Sequence, residues 1–183
     1  MKTPSQHFGR RAFLRLAVLA AFAVAARADP TAVVDDDGHF SATFPGAVRR
    51  ANRIVDKDIG QIVTVQVYTH QGAVAFMVTY NDYPEGYVAN TGAATVFKAA
   101  AKEATESVKG TIRGQANCKS GDAAGLEVVI DGPDRGFVER MRLFAVGNRL
   151  FEVAYLGPPD SEADKPALDF LDSFRLLPVP AGK

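Results

Sequence analysis

Residues 62–81 read IVTVQVYTHQGAVAFMVTYN: two runs of alternating apolar and polar residues around Gln71-Gly72. The runs are rich in β-branched and aromatic residues, and the centre holds a turn-forming glycine, so the stretch predicts a β-hairpin over Ile62–Thr69 and Ala73–Asn81. With Gln71-Gly72 as the two-residue loop, Val67 faces Phe76, Val65 faces Val78 and Val63 faces Tyr80. That builds one apolar face. The other pairs Tyr68 with Ala75, Gln66 with Met77 and Thr64 with Thr79, a mixed surface expected to be partly covered.

A second hairpin is centred on Gly147-Asn148, where glycine in first place suits a type II′ turn. Pairing outward sets Phe144 against Phe151, Arg142 against Val153 and Arg140 against Tyr155. The opposite face carries Met141, Leu143, Ala145, Leu150 and Ala154, with Glu152 intruding. A sheet apolar on both faces needs a layer on each side. Further strands are expected at His39–Phe44, ended by Pro45-Gly46, at Thr111–Lys119 and at Leu126–Asp131.

Two helices are available as those layers. In Thr95–Lys109, residues Val96, Phe97, Ala100, Ala101, Ala104 and Val108 form a stripe at helical spacing, and Gly110 is placed to end it as the C′ residue. The second runs from about Asp164 to Ser173. Pro166 is tolerated in its first turn, and Ala167, Leu168, Leu171 and Phe174 face inward. The reading is α+β: a largely antiparallel sheet with helices on both faces, an α/β/α sandwich.

The N-terminus says where this domain works. Lys2, Arg10, Arg11, Arg15 and Arg27 are the only charges before Asp29, and Leu16–Ala26 is wholly apolar. About 11 apolar residues are too few for a spanning helix, which needs roughly 20. A positive n-region, a short apolar stretch and the small-x-small site Ala26-Arg27-Ala28 are the parts of a secretory signal cut before Asp29. Arg10-Arg11-Ala12-Phe13-Leu14-Arg15 resembles a twin-arginine translocation signal, carried by Arg10, Arg11, Phe13 and Leu14. Residues 1–28 are thus expected to be the signal and 29–37 an acidic linker. A single α/β domain follows over 38–177, then a loose tail over 178–183. Export machinery is the first partner, and the location is periplasmic or secreted, with no membrane span after cleavage.

The signal holds five of the 21 basic residues and none of the 21 acidic ones, so the remainder is net negative by five. An acidic surface repels phosphate backbones, which excludes nucleic acid as an expected partner. Cys118 is the single cysteine, so no intramolecular disulfide can form, and its neighbours offer no ligand spacing. It reads as a small, partly buried strand residue.

No motif assigns a catalytic residue, a metal ligand or a cofactor. Asp35, Asp36, Asp37 and His39 lie together, but a strand begins where a calcium loop would continue its alternating ligands. His39 and His70 lack a spaced second ligand, and neither G-x-S-x-G nor a phosphate-binding loop occurs. Tyr80, Tyr83 and Tyr87 flank a polar loop and are candidate contact residues, or else pack over the first helix. Arg140 and Arg142 could meet an anion or carboxylate ligand, or pair with an internal acid.

The element order, with Phe40–Gly46 near its start, Arg142–Phe144 and Gly147–Phe151 in its second hairpin and Phe170–Leu176 at its close, resembles the Mog1/PsbP-like α/β/α sandwich family. The resemblance spans about residues 38–177. It implies a protein that binds or assists other proteins, some members with metal ions, and no shared catalytic residues to carry over. The function expected is therefore an exported non-catalytic binding, scaffolding or assembly-assisting protein of the cell envelope, its partner an envelope protein or small ligand. A small exported hydrolase is the alternative; it would need a nucleophile, His39 or His70 and a carboxylate brought together.

Overall fold

The computed structural model describes residues 29–178. The export residues Arg10, Arg11, Phe13 and Leu14, and the cleavage residues Ala26 and Ala28, lie outside them; Asp29 is the first residue described. The order is β1 (Thr31–Asp35), β2 (Phe40–Phe44), β3 (Arg49–Lys57), β4 (Gly60–Gln71), β5 (Val74–Asp82), α1 (Tyr87–Thr91), α2 (Ala93–Ser107), β6 (Thr111–Ser120), β7 (Ala123–Asp131), β8 (Val138–Val146), β9 (Arg149–Gly157), α3 (Lys165–Ser173) and β10 (Arg175–Leu176). Seven strands form one antiparallel sheet in the order β3-β4-β5-β9-β8-β7-β6, and β1-β2-β10 form a small second sheet.

The β8–β9 hairpin has the register expected from Gly147-Asn148, with Phe144 opposite Phe151, Arg142 opposite Val153 and Arg140 opposite Tyr155. Gly147 has φ 59, as the first place of a type II′ turn requires. The β4–β5 hairpin differs from expectation. Its loop is Gly72-Ala73, so Val67 meets Val78, Val65 meets Tyr80 and Thr69 meets Phe76. The same turn rule explains the shift: Gly72, with φ 62, takes the first loop place rather than the second. Moving the loop by one residue shifts each partner by two, so the apolar face stays where the alternation put it.

Three strands escaped the sequence reading: β1, β3 and the two-residue β10. Residues 29–37, expected as a linker, contain β1, paired along its length with β2. Strand β3 is the sheet's edge, and all but one of its residues are exposed. With polar residues on both faces it carries no alternation to detect.

Each face of the large sheet has its own core. Phe40, Phe44, Phe76, Tyr80, Phe144, Phe151, Phe170 and Phe174 fill the side covered by α3 and the small sheet. Val96, Phe97, Ala100 and Ala101 of α2 pack on Val128, Ile130, Met141, Leu143 and Leu150 on the other side. In α3, Phe170 joins Ala167 and Leu171 in the interior, a position the stripe had missed, while Leu168 is only half-buried.

The end of α2 also corrects the sequence reading. Lys109, not Gly110, takes the left-handed conformation, with φ 52. The amides of Lys109 and Gly110 donate to the carbonyls of Glu106 and Thr105 at 3.1 and 2.9 Å, a Schellman closure. Gly110 serves a different need, because a Cβ there would lie 2.6 Å from the Asp131 carbonyl oxygen and 2.7 Å from Ile130 Cγ2. Gly110→Ala is therefore expected to cost about 1–3 kcal/mol by overpacking. Lys109→Gly relieves a strained conformation and should cost little or nothing. Urea melts of both variants test the assignment; the reverse ranking would return the left-handed role to Gly110.

Candidate functional site

The groove beside α2 is a consequence of widths. Strands lie about 4.8 Å apart and a helix with its side chains is about 10–12 Å across, so one helix cannot cover seven strands. Helix α2 packs on β7 and β8. The same face of β3, β4, β5 and β9 stays open and forms a groove of about 720 Å³ against the flank of α2.

Alternation decides what lines it. Strand β9 presents Glu152, Ala154 and Leu156 there, β5 presents Ala75, Met77, Thr79 and Asn81, and β8 adds Glu139. Ala100, Glu103, Ala104, Ser107 and Val108 form the helical wall. At one end Thr64 Oγ1 donates to Asn81 Oδ1, and Asn81 Nδ2 donates to Glu152 Oε1, both at 2.7 Å. Thr79 stands directly across from Glu152; it is 4 % exposed, and its Oγ1 has no hydrogen-bond partner among the described residues. Lys57 bonds both Glu103 oxygens at the rim, at 3.1 and 3.2 Å.

The floor acids are held away from their usual state. Burial alone pushes the Glu139 carboxyl up to about 7. Burial, reinforced by repulsion from Glu139 and Glu103 against the Asn81 hydrogen bond and the charge of Arg53, pushes Glu152 up to about 7 as well. Burial also pushes the Tyr83 phenol up to about 12. A carboxyl poised near neutrality donates a hydrogen bond when protonated and accepts when ionised. The groove floor thus offers oxygen acceptors beside Ala75, Met77 and Ala154, with Arg53, Lys57, Tyr68 and His70 along its β3 and β4 side.

The sequence-nominated residues distribute differently. Tyr80 is 3 % exposed on the opposite face, inside the aromatic core, so it is no surface contact. It bonds Arg50 Nη2 at 2.9 Å, and the Arg149 guanidinium lies 4.3 Å from its ring centroid. Tyr83 and Tyr87 stack at 5.0 Å and pack against the α2 core, the local packing that competed with a contact role. Arg140 and Arg142 both bond Glu127 at 2.7 Å, and Arg142 also reaches Asp172. This internal pairing outweighs burial, which alone would raise the Glu127 carboxyl, and holds it below its ordinary value. Asp35 is buried, accepts from the Gly38 amide and pairs with Arg50, which ties the acidic run into the fold. Cys118 is half-buried beside the aromatic core, and burial raises its thiol.

Neither imidazole makes a hydrogen bond among the described residues. His39 lines a smaller cavity of about 260 Å³ with Asp82 and Arg149 but no serine, threonine or cysteine, and Arg149 already claims Asp82 at 2.5 and 2.8 Å. His70 sits at the groove's end against Tyr68, ring centroids 5.4 Å apart. The nucleophile–histidine–carboxylate cluster that a hydrolase needs is not assembled among these residues. No three His, Cys, Asp or Glu of the described residues converge as a metal-binding set. No described helix is long and apolar enough to cross a membrane.

Of the two floor acids, the sequence had marked only Glu152, as an intruder on an apolar face. Glu139 was missed because it stands near the start of β8 beside Arg140 and looks like half of a surface pair.

No protein-family model and no curated protein matches the chain. Among solved structures, the chain is similar to the solution structure of cyanobacterial PsbP (CyanoP) from Synechocystis sp. PCC 6803. The TM-score is 0.54 at 9 % identity, over 86 % of this chain and 98 % of that one. The PsbP-like α+β fold is thereby shown.

Proposed function

We propose, with the PsbP-like fold as premise, that this chain is an exported, non-catalytic binding protein that assists or scaffolds other proteins of the cell envelope. The observation that carries the reading is the groove beside α2: a concavity of about 720 Å³ in which Ala75, Met77, Ala154 and Leu156 lie among polar side chains from β3, β4 and α2. Its polar residues supply donors as well as acceptors, and the Thr64 and Ser107 hydroxyls donate to Asn81 and Ala104 rather than to His70. The basic, alanine-rich segment before Asp29 supports export, and the twin-arginine pattern supports export after folding.

A photo-crosslinking residue at Gln66 or Ser107, on the groove wall, tests this in the native host, with Lys119 on β6 as the remote control. The expected result is a protein in the envelope fraction, beginning at Asp29, with discrete adducts from the groove positions and none from Lys119. Replacing Arg10 and Arg11 with lysines should abolish its export by the twin-arginine route. Retention of Met1 on the envelope form would overturn the export reading. Equal adducts from Lys119 would overturn the groove's role.

A further inference from the structure

The groove floor has an order beyond its acidity. Glu139 lies opposite Leu156 on β9, and Leu156 is four residues along the same face from Glu152, with Ala154 between them. Four residues of strand span roughly 13 Å. The floor therefore reads carboxylate, aliphatic stretch, carboxylate. Ala75 and Ala154 keep the middle low, and Met77 supplies apolar contact. At the Glu152 end the unpartnered Thr79 Oγ1 adds an acceptor, and at the other end Glu139 is 8 % exposed.

We propose that this floor binds an aliphatic diamine, one ammonium on Glu152 and Thr79, the other on Glu139, the methylene chain lying over Ala154 and Met77. The inference rests on the binding reading above and names the ligand class of the same groove. Two cationic ends match two carboxyls, and each ammonium carries three donors for the carboxylate and hydroxyl oxygens at its end. A divalent ion fits less well, because it wants several oxygens around one point, and no three His, Cys, Asp or Glu of the described residues converge as a metal-binding set. A monoamine would leave one carboxyl unanswered.

Binding should be linked to protons. Around the two acids stand Arg53 and Lys57 from β3, Tyr68 and His70 from β4, Tyr83 after β5 and Glu103 from α2. With both floor acids poised near 7, a diammonium ligand favours their ionised forms and expels protons. Affinity should rise from pH 6 to pH 8.

Isothermal titration calorimetry of the purified protein with putrescine is the test, repeated in buffers of different ionisation enthalpy to count protons. The expected result is saturable binding, with proton release at pH 7. Glu139→Gln and Glu152→Gln should each weaken binding about tenfold or more, and Thr79→Val by a smaller factor. Butylamine should bind about tenfold more weakly than putrescine. The glutamines mimic the protonated acids in shape, so folding is not at risk, and unchanged circular dichroism confirms it. No saturation below ~10 mM putrescine, indifference to both glutamine variants, or displacement by equimolar magnesium chloride would each overturn the proposal. An exported chain that crosslinks at Gln66 yet ignores putrescine loses the ligand class alone; one that binds putrescine without adducts loses the partner-assisting role.

Discussion

Phe174→Ala is expected to cost the domain about 3–5 kcal/mol, the usual loss on truncating a buried phenylalanine. Phe174 is 2 % exposed and sits just after α3, where the chain turns into β10. Its ring stacks on Phe144 at 5.6 Å and on Phe40 at 5.9 Å, and tilts against Phe151 at 5.8 Å. It therefore joins the large sheet, the small sheet and the last helix in one contact set. Against a typical stability of roughly 5–15 kcal/mol, its removal should lower the urea midpoint sharply or leave no folded protein. Val34→Ala is the control, since Val34 is 66 % exposed and its truncation should be nearly silent. Equal midpoints for the Phe174 variant and the parent would mean that the two sheets do not depend on each other.

Glu139→Gln should stabilise the protein in mildly alkaline buffer and do little in acid. The folded protein holds the Glu139 carboxyl at about 7, against 4.5 for an ordinary one. Between those values the folded state keeps a proton that the unfolded chain has released. The stabilisation from that proton is fully present below the unfolded value and is lost as pH rises through 7. A shift of that size corresponds to on the order of 3 kcal/mol. The parent's melting temperature should thus fall from pH 5 to pH 8, and the variant's should fall less steeply, because Glu152, also pushed up to about 7, still contributes its own loss. Parallel pH profiles for the two proteins would show that Glu139 ionises freely in the folded state.

What the sequence disclosed follows from how local each cue is. Gly147-Asn148 set the β8–β9 register correctly because turn chemistry and side-chain alternation agreed. At Gln71-Gly72-Ala73 they left two loops open, and applying the glycine-first rule there too would have chosen Gly72-Ala73. Strand β3 was silent because an edge strand owes its structure to a partner's hydrogen bonds rather than to its own apolar pattern. The groove was the least legible part. Glu152 could be seen intruding on an apolar face, but Glu139 acquires meaning only once β8 and β9 are in register. The space itself is what α2 fails to cover, a property of no single segment.

The strand order carries a consequence for how the chain finds its structure. In the large sheet every neighbouring pair is consecutive in sequence except β5 and β9. Two meanders, β3–β5 and β6–β9, can each close by short turns on microsecond timescales. They meet across one seam, where Asp82 and Arg149 come together from 67 residues apart. Loop-closure entropy on that scale falls due in this sheet only once. That makes the zipping of β5 onto β9 the step that paces assembly of the sheet. The same seam brings Thr79 against Glu152 and Met77 against Ala154, so the groove floor comes into being only when the two halves join.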